Sequence, residues 1–344
     1  MLTVEQIGAE AVDWATLDSF PDRNVCQTKG WLSFVAATQR ADVVVAAVRD
    51  GPATVGYFTG LVLERYGVRV LGAPLPGWTT AYLGFNLVDG VPRREALRAL
   101  LPFAFDTLRC AHVEIRDRRL SAADYEALGL PWTPSPTHLI DLGHSEDELF
   151  NRMAPACRRS IRKASNKGVI VEPASDPAFA DDFYDQLRDV FAKQGLVPTY
   201  SVDRVRALID HLGPTGNLLL LRARDPDGRC IATAICPWFN RAMLAWGTAS
   251  YRRGQHLRPN EVLIWHAMRF AKQRGVTEFD LCGGGSYKSK YGTVETVVPW
   301  ARRSRSALVA GLRAAVKEGF AMRQRTVARL AALRGALAQR GAES

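Results

Sequence analysis

The chain has 344 residues, 47% of them hydrophobic, and a formal net charge of +10. At roughly 100 to 200 residues per domain, this length predicts a globular protein with two domains and large cores. The longest apolar runs fall well short of the roughly 18 residues of a membrane span, and no signal-peptide pattern opens the chain, so we predict a cytoplasmic protein.

The cysteines are scattered along the chain, without a CxxC pair or a Cys/His pattern at zinc spacing. We therefore predict neither a disulfide framework nor a metal site, and expect reduced, mostly buried thiols. The six are Cys26, Cys110, Cys157, Cys230, Cys236 and Cys282.

The positive charge is concentrated in two segments. Residues 301–344 contain ten Arg or Lys and two Glu, and residues 152–167 contain six basic residues and no acid. Such segments suit a polyanionic partner such as RNA, although a solvated helix face explains each of them equally well.

The first half begins with helical material and continues with three strand-like runs, ADVVVAAV, TVGYFTGLVLE and VRVLGAP, separated by turn signals. These runs predict an antiparallel meander. A helix from about Arg93 to Leu108 follows Pro92. The half closes with a strand at AHVEIRD, a short helix near DYEALG and a strand at HLIDL.

The second half repeats this order. Ser145 and Glu148 form a capping-box pattern that opens a helix carrying the first basic segment. A strand at VIVEP is followed by a helix with core aromatics at spacing four, and by a helix at VDRVRALIDHL. The remaining elements are three strands at NLLLLRARD, CIATAICPWF and AMLAWGTAS, a helix at NEVLIWHAMRFAKQRG, and strands at TEFDLCGG and VETVVPWA.

The repeated order predicts an α+β fold built by tandem duplication of one unit. We expect an N-terminal domain at residues 1–143, a C-terminal catalytic domain at residues 144–302 and a basic helical tail at residues 303–344. The tail is rich in Ala, Leu and Arg, which favours one long helix or a helical pair broken near Gly319.

Four stretches resemble motifs of one known family. CQTKGWLSFV is similar to its Gln-Ser/Thr-x-x-Trp opening, and RRSIRKASNKGVIVE to its Arg-x-x-Ile-Arg-Lys-Ala-x-x-x-Gly-Val segment. RPNEVLIWHAMRFAKQRGVTEFDLCGG is similar to its Pro-Asn-x-x-Leu-x-Trp helix and the Gly-Gly strand that follows, and YKSKYG to its Phe-Lys-x-x-Phe-Gly element. The chain thus resembles the Fem family of aminoacyltransferases, which use the Gcn5-related acyltransferase (GNAT) fold in tandem.

This resemblance implies transfer of an amino acid from aminoacyl-tRNA to an amine, either on a cell-wall precursor of peptidoglycan or on a small natural-product scaffold. Relatives with the same fold use acyl thioesters, so an N-acyltransferase that takes acyl-coenzyme A or an acyl carrier protein is a first alternative. A catalytically silent RNA-binding module is a second. The loop YRRGQHLRPN has one glycine, which makes it a poor cradle for the coenzyme A pyrophosphate.

An aminoacyl ester is already activated, so we expect neither a cofactor nor a covalent nucleophile. The resemblance makes Lys288 the first candidate for stabilising the oxyanion or a phosphate, with Lys290 as a second. Asp280 either accepts the amine proton or orients the amine, or it caps its own turn. Tyr251 could supply a hydroxyl near the donor.

The remaining candidates belong to the substrate pocket and the tRNA surface. The substrate-binding candidates are Trp246, Trp265, Tyr287, Tyr291, Arg252, Arg258 and Lys290. The predicted tRNA contacts share one stripe of a helix, where cations can follow a phosphate backbone, and are Arg158, Arg159, Arg162 and Lys163. A Cys282 nucleophile paired with His256 or His266 is a minor alternative.

Overall fold

One mixed β-sheet of 14 strands runs through both halves of the chain in this computed structural model, which describes residues 1–315, 318–319, 322, 324 and 326–327. The strands are β1 (Leu2–Gln6), β2 (Asp42–Asp50), β3 (Ala53–Arg65), β4 (Val68–Ala73), β5 (Gly84–Leu87), β6 (His112–Ile115), β7 (Trp132–Asp141), β8 (Ile170–Pro173), β9 (Leu218–Arg224), β10 (Cys230–Phe239), β11 (Ala242–Leu244), β12 (Gly247–Ser250), β13 (Glu278–Asp280) and β14 (Val294–Ser304).

Helices cover the sheet in both halves, which confirms the predicted α+β class. The α-helices that precede β14 are α1 (Trp14–Asp18), α2 (Lys29–Gln39), α3 (Arg93–Pro102), α4 (Ala122–Glu126), α5 (Glu146–Arg152), α6 (Pro155–Asn166), α7 (Phe179–Ala192), α8 (Val202–Leu212) and α9 (Pro259–Gln273). A π-helical turn at Phe103–Thr107 extends α3.

The predicted meander of the first half is present as β2, β3 and β4, each antiparallel to the next. The expected helical start is wrong, because β1 precedes the helices and pairs antiparallel with β2. In β1, Leu2 and Val4 are partly buried while Thr3 and Glu5 are exposed. This alternation is the period of a strand lying at the edge of a sheet.

Each half contains one parallel strand pair. In the first half β4 runs parallel to β6, and in the second half β11 runs parallel to β13. The last strands of the two halves are exchanged between them: β14 is antiparallel to both β6 and β7, and β7 is antiparallel to β13. The halves therefore share one sheet, and the domain boundaries at residues 143 and 302 stay a prediction.

Two predicted elements of the second half are divided. Ser145 caps α5 through the expected capping box with Glu148, but α5 ends at Arg152 and the basic segment lies on a separate helix, α6. The break follows from Pro155, which favours an extended residue before it and occupies the first turn of α6. The run AMLAWGTAS likewise forms two strands, β11 and β12, interrupted at Ala245 and Trp246.

The core has two parts. Helices α7 and α8 pack with the N-terminal half, and Phe179, Phe183 and Leu187 are buried there, as their spacing predicts. The second part is formed by α6, α9 and the central strands of the second half.

The beginning of the predicted tail is helical at residues 307–315. Arg313 ties this helix to the sheet through the buried carboxylate of Glu114, and Arg305 pairs with Asp106. Most of the basic tail residues lie outside the described residues, as does the chain just beyond Gly319, where a break is predicted. Those residues are Lys317, Arg323, Arg325, Arg329, Arg334 and Arg340.

Candidate active site

The parallel pair β11 and β13 separates after three residue pairs, the last of which joins Leu244 to Asp280. The amide of Ala245 still donates to the Asp280 carbonyl at 2.8 Å, after which the two chains diverge. β12 pairs with β10, while the chain after β13 turns away at Gly283. Asp280 thus lies at the point where the central strands part.

The Asp280 side chain is fully buried and accepts three hydrogen bonds. The Tyr82 hydroxyl donates to Oδ2 at 2.6 Å, and the Thr137 hydroxyl donates to Oδ1. The backbone N–H of Cys282 donates to Oδ1 at 2.7 Å. The carboxylate therefore caps its own turn, one of the two roles that the sequence left open.

The turn after Asp280 has a left-handed backbone at Cys282 (φ 51°) and Gly283 (φ 72°). Glycine adopts this region without strain, whereas a residue such as cysteine needs a compensating interaction, here the hydrogen bond to Asp280. The turn leads into a 3₁₀ helix at Ser286–Tyr291 that carries Lys288. The glycines thus serve to redirect the chain.

Lys288 points back into this turn and is buried. Its ammonium donates to the carbonyl of Cys282 and to that of Gly283, the latter at 3.0 Å. Two of its three protons are thereby used within the described residues. The third is the proton that Lys288 can offer to another oxygen.

Burial sets the protonation of this group of residues. It lowers the pKa of Lys288, an effect that the nearby Cys282 and Asp280 oppose. Burial also raises the pKa of the Cys282 thiol well above its usual range, which disfavours the nucleophilic thiolate. His256 contacts the carbonyl of Arg253 instead, so this geometry gives no support to the Cys/His alternative.

The sequence did not reveal the residues that the N-terminal half contributes here. Besides Tyr82 and Thr137, the buried Arg116 guanidinium stacks between the rings of Tyr82, at 4.8 Å, and Trp300, at 5.4 Å. Thr137 approaches Asp280 because β7 pairs with β13, and Tyr82 approaches it from the segment between β4 and β5. No local motif marks them, and only a prediction of strand pairing could have found them.

A cleft of about 280 Å³ opens between the halves on the Tyr82 side. Its lining includes Tyr82, Arg118, Arg241 and Glu278, and Arg118 forms an ion pair with Glu278. The cleft therefore reaches the tyrosine that contacts Asp280.

The other residues of YKSKYG take different positions. The Tyr287 ring is 63% exposed, with the Lys288 ammonium 5.8 Å from its centre, whereas Tyr291 is buried. The Lys290 ammonium bonds Glu261 at 2.7 Å, so its charge is already paired. Of the two lysines, Lys288 is thus the one that no carboxylate of a described residue neutralises through an ion pair.

The two candidate tryptophans lie in different places. Trp246 donates to the carbonyl of Thr79 at 3.0 Å and packs against Phe34, Phe183 and Tyr200, at the junction of the halves. Trp265 lies on α9 and packs against Phe150 of α5. The structure does not bring these tryptophans together into one pocket.

Tyr251, Arg252 and Arg258 lie in the loop before α9. Partial burial raises the pKa of the Tyr251 hydroxyl, and Arg252 and Arg258 are exposed. The amide of Arg252 donates to the Asp189 carboxylate at 2.6 Å, and α9 starts at Pro259, which has no N–H. The Arg252 amide thus already has a carboxylate partner, in agreement with the poor cradle inferred from the sequence.

The candidate tRNA contacts lie on α6. Cys157, Ile161 and Ala164 face the core, while Arg159, Arg162 and Lys163 are exposed. Arg158 is partly buried and donates to the carbonyl of Asn151 at 2.7 Å, and Arg162 lies over the Phe150 ring. None of these four cations forms an ion pair with a carboxylate in the part of the chain that the structure describes.

Within the described ranges, no group of three or more His, Cys, Asp or Glu side chains could hold a metal ion. In the same residues, no helix combines the length and the apolar character that crossing a bilayer requires.

These features define the class of protein: a tandem GNAT fold, with a GNAT acetyltransferase domain model matching residues 152–291. No curated protein sequence matches the chain significantly. Among solved structures, FemX shares 14% identity at a TM-score of 0.72, over 90% of this chain and 99% of its own. The resemblance to the Fem family is therefore confirmed at the level of the fold.

Two further structures show the same architecture. A tandem GNAT protein from the clavulanic acid biosynthesis pathway has 13% identity and a TM-score of 0.53, over 89% of this chain and 99% of its own. L-PGS from Bacillus licheniformis has 13% identity and a TM-score of 0.52, over 89% of this chain and 95% of its own. At these identities the likeness establishes the fold, and an acyltransferase fold is what the three structures share with this chain.

Proposed function

We propose that this acyltransferase moves an amino acid from aminoacyl-tRNA to an amine and forms an amide. The acceptor is an amine of a cell-wall precursor or of a small natural-product scaffold. The motifs that resemble the Fem family and the fold shared with FemX support this donor. The predicted cytoplasmic location belongs to the same proposal.

The observation that carries the proposal is the position of the unpaired cations relative to Lys288. The amide of Ala154, just before α6, donates to the Lys290 carbonyl at 2.9 Å. The basic helix therefore starts against the turn that holds Lys288. A phosphate backbone bound along Arg159, Arg162 and Lys163 would leave its aminoacyl end within reach of that turn.

The chemistry needs one bond to form and one to break. The amine nitrogen attacks the ester carbonyl, the C–N bond forms, and the C–O bond to the ribose breaks. The ribose oxygen leaves with a proton, and the amine loses one. Lys288 donates its remaining N–H to the carbonyl oxygen as negative charge develops there, which lowers the barrier most strongly in a buried setting.

Acyl-coenzyme A is the main rival donor, because the GNAT domain model is that of an acetyltransferase. The loop before α9 argues against it, since Asp189 holds the Arg252 amide and Pro259 begins the helix. A catalytically silent RNA-binding module is the other rival function. It gives no role to the buried Lys288 ammonium at the point where the central strands part.

The donor can be tested by reconstituting the reaction with charged tRNA and a panel of amines, with and without ribonuclease. We expect amide product only when intact aminoacyl-tRNA is present. Product that persists after complete removal of tRNA, with acyl-coenzyme A as donor, would replace the proposal by its rival. RNA binding without turnover, unchanged by Lys288→Ala, would favour the silent module.

The tRNA surface can be tested with the triple variant Arg158→Ala, Arg159→Ala and Arg162→Ala. Since each lost phosphate contact removes roughly one unit from the salt slope, we expect a slope lower by about two to three and a higher KM for tRNA. Unchanged KM and slope would refute the assignment.

A matched control removes three exposed cations from the N-terminal half, with Arg40→Asn, Arg65→Gln and Arg109→Asn. Asn suits the left-handed backbone of Arg40 and Arg109. The control carries the same charge change, and we expect it to leave the KM for tRNA nearly unchanged.

A further inference from the structure

We propose that the N-terminal half positions the catalytic lysine: the hydroxyls of Tyr82 and Thr137 fix Asp280, which in turn fixes the turn that holds Lys288. This inference rests on the proposed function only in calling Lys288 catalytic. It assigns roles to Tyr82 and Thr137, and makes Asp280 a positioning residue rather than a proton acceptor.

The contacts form a continuous chain from one half to the other. Tyr82 and Thr137 donate to the two oxygens of Asp280, and Oδ1 also accepts the Cys282 N–H at 2.7 Å. The carbonyls of Cys282 and Gly283 then accept the Lys288 ammonium. Each link is a hydrogen bond between buried or partly buried groups, where such bonds are strongest.

Asp280 is poorly suited to take a proton from a substrate amine. Its carboxylate is fully buried, and three donors already use it. Holding the strained Cys282 backbone is the role that its contacts support.

Both hydroxyls come from outside the C-terminal half. Tyr82 follows the parting of β4 and β6, and Thr137 lies on the exchanged strand β7 beside β13. The Tyr82 ring is itself held, since the Arg116 and Arg118 guanidinium groups lie 4.8 Å and 5.0 Å from its centre. The N-terminal half therefore contributes residues that complete the candidate site of the C-terminal half.

The test measures how pH affects labelling of Lys288 by an amine-reactive ester, which reacts only with the neutral amine, followed by peptide mass spectrometry. Burial lowers the Lys288 pKa, so half-maximal labelling of the wild type should occur below the pH of an ordinary lysine. In Thr137→Val and Tyr82→Phe the loosened turn admits water, and the midpoint should rise by about half a pH unit or more.

Two matched variants serve as controls. Thr137→Ser keeps the hydroxyl and should restore the wild-type midpoint. Tyr125→Phe removes a buried phenol whose oxygen has no hydrogen-bond partner among the described residues, so it should leave the midpoint unchanged. If Tyr82→Phe fails to fold, the pair Thr137→Val and Thr137→Ser still decides the question. Identical midpoints in all variants would overturn the positioning role.

Steady-state kinetics with aminoacyl-tRNA separate this inference from the proposed function. We expect Thr137→Val to lower kcat about tenfold while the KM for tRNA, which depends on α6, stays constant. Shifted labelling without any transfer from aminoacyl-tRNA would support the positioning role and refute the donor. Normal kcat and normal labelling in Thr137→Val would support the donor and refute the positioning role.

Discussion

The two halves open their parallel strand pairs in the same way and use the openings differently. In the first half β4 and β6 part after Ala73 and Ile115, and in the second β11 and β13 part after Leu244 and Asp280. The first opening is closed by Asp117, which is buried, pairs with Arg93 and accepts the amides of Phe85 and Arg119.

In the second half Asp280, the last paired residue of β13, forms no ion pair with an arginine among the described residues. It holds two hydroxyls and the turn that presents Lys288. The comparison teaches that duplication of the fold does not duplicate the site. The first opening holds an ion pair between Asp117 and Arg93, whereas the turn at the second opening holds the buried Lys288.

The largest expected effect is on the cation itself. Lys288→Met should lower kcat by about 100-fold or more, because a single oxyanion donor in a buried site contributes on that scale. Lys290→Met, which removes a lysine already paired with Glu261, should cost far less. Steady-state transfer assays on both variants check this, and equal losses would mean that Lys288 has no special role.

The next largest expected effect comes from breaking the ion pair between Asp117 and Arg93 at the first opening. Asp117→Asn should lower the free energy of unfolding by about 2 to 3 kcal/mol, since an amide cannot accept both backbone N–H groups and leaves Arg93 less compensated. Chemical denaturation measures this loss. A stable variant with impaired turnover would instead indicate that the first opening carries chemistry.

A smaller contrast separates two glycines. Gly84 has φ 129°, and a Cβ there would lie 2.5 Å from Asp117 Oδ2, whereas Gly283 has φ 72° and open space around it. Gly84→Ala should therefore cost about 2 to 3 kcal/mol of stability and Gly283→Ala about 1 kcal/mol. Thermal unfolding of the two variants checks which loss of stability is larger. A larger loss in Gly283→Ala would contradict the close packing of Gly84 against Asp117.

The pH dependence gives the finest distinction. In the proposed function Lys288 acts as a cation, so activity should require its protonated form and fall as pH rises through the Lys288 pKa. Because burial lowers that pKa, kcat should decline at a lower pH than an ordinary lysine would give. A kcat profile that stays level up to the ordinary lysine range would contradict a buried catalytic ammonium.

Local patterns predicted most of the fold. The meander of β2 to β4, the capping box of α5 and the core face of α7 follow from period and capping, which short stretches encode. The predicted helical start of the chain was wrong, because the five residues of β1 give only a weak strand signal. The exchange of β7 and β14 depends on pairing over more than 150 residues, which no local pattern specifies.

The candidate site was predictable only for the residues that lie close together in the sequence. Motif resemblance identified Lys288 and Asp280 as neighbours in sequence, and the turn brings them together. Tyr82 and Thr137 were not predicted because they are 198 and 143 residues from Asp280 in sequence and meet it only in the folded structure. Trp265 and Lys290 were candidates because they belong to the resembled motifs, and the structure gives them the partners Phe150 and Glu261.

The most direct measurement is the single-turnover rate of amide formation from aminoacyl-tRNA at saturating enzyme, for the wild type, Lys288→Met and Asp117→Asn, each corrected for its folded fraction. We predict a rate about 100-fold or more below wild type for Lys288→Met and a rate near wild type for Asp117→Asn. A wild-type rate in Lys288→Met would contradict the division of roles between the two halves.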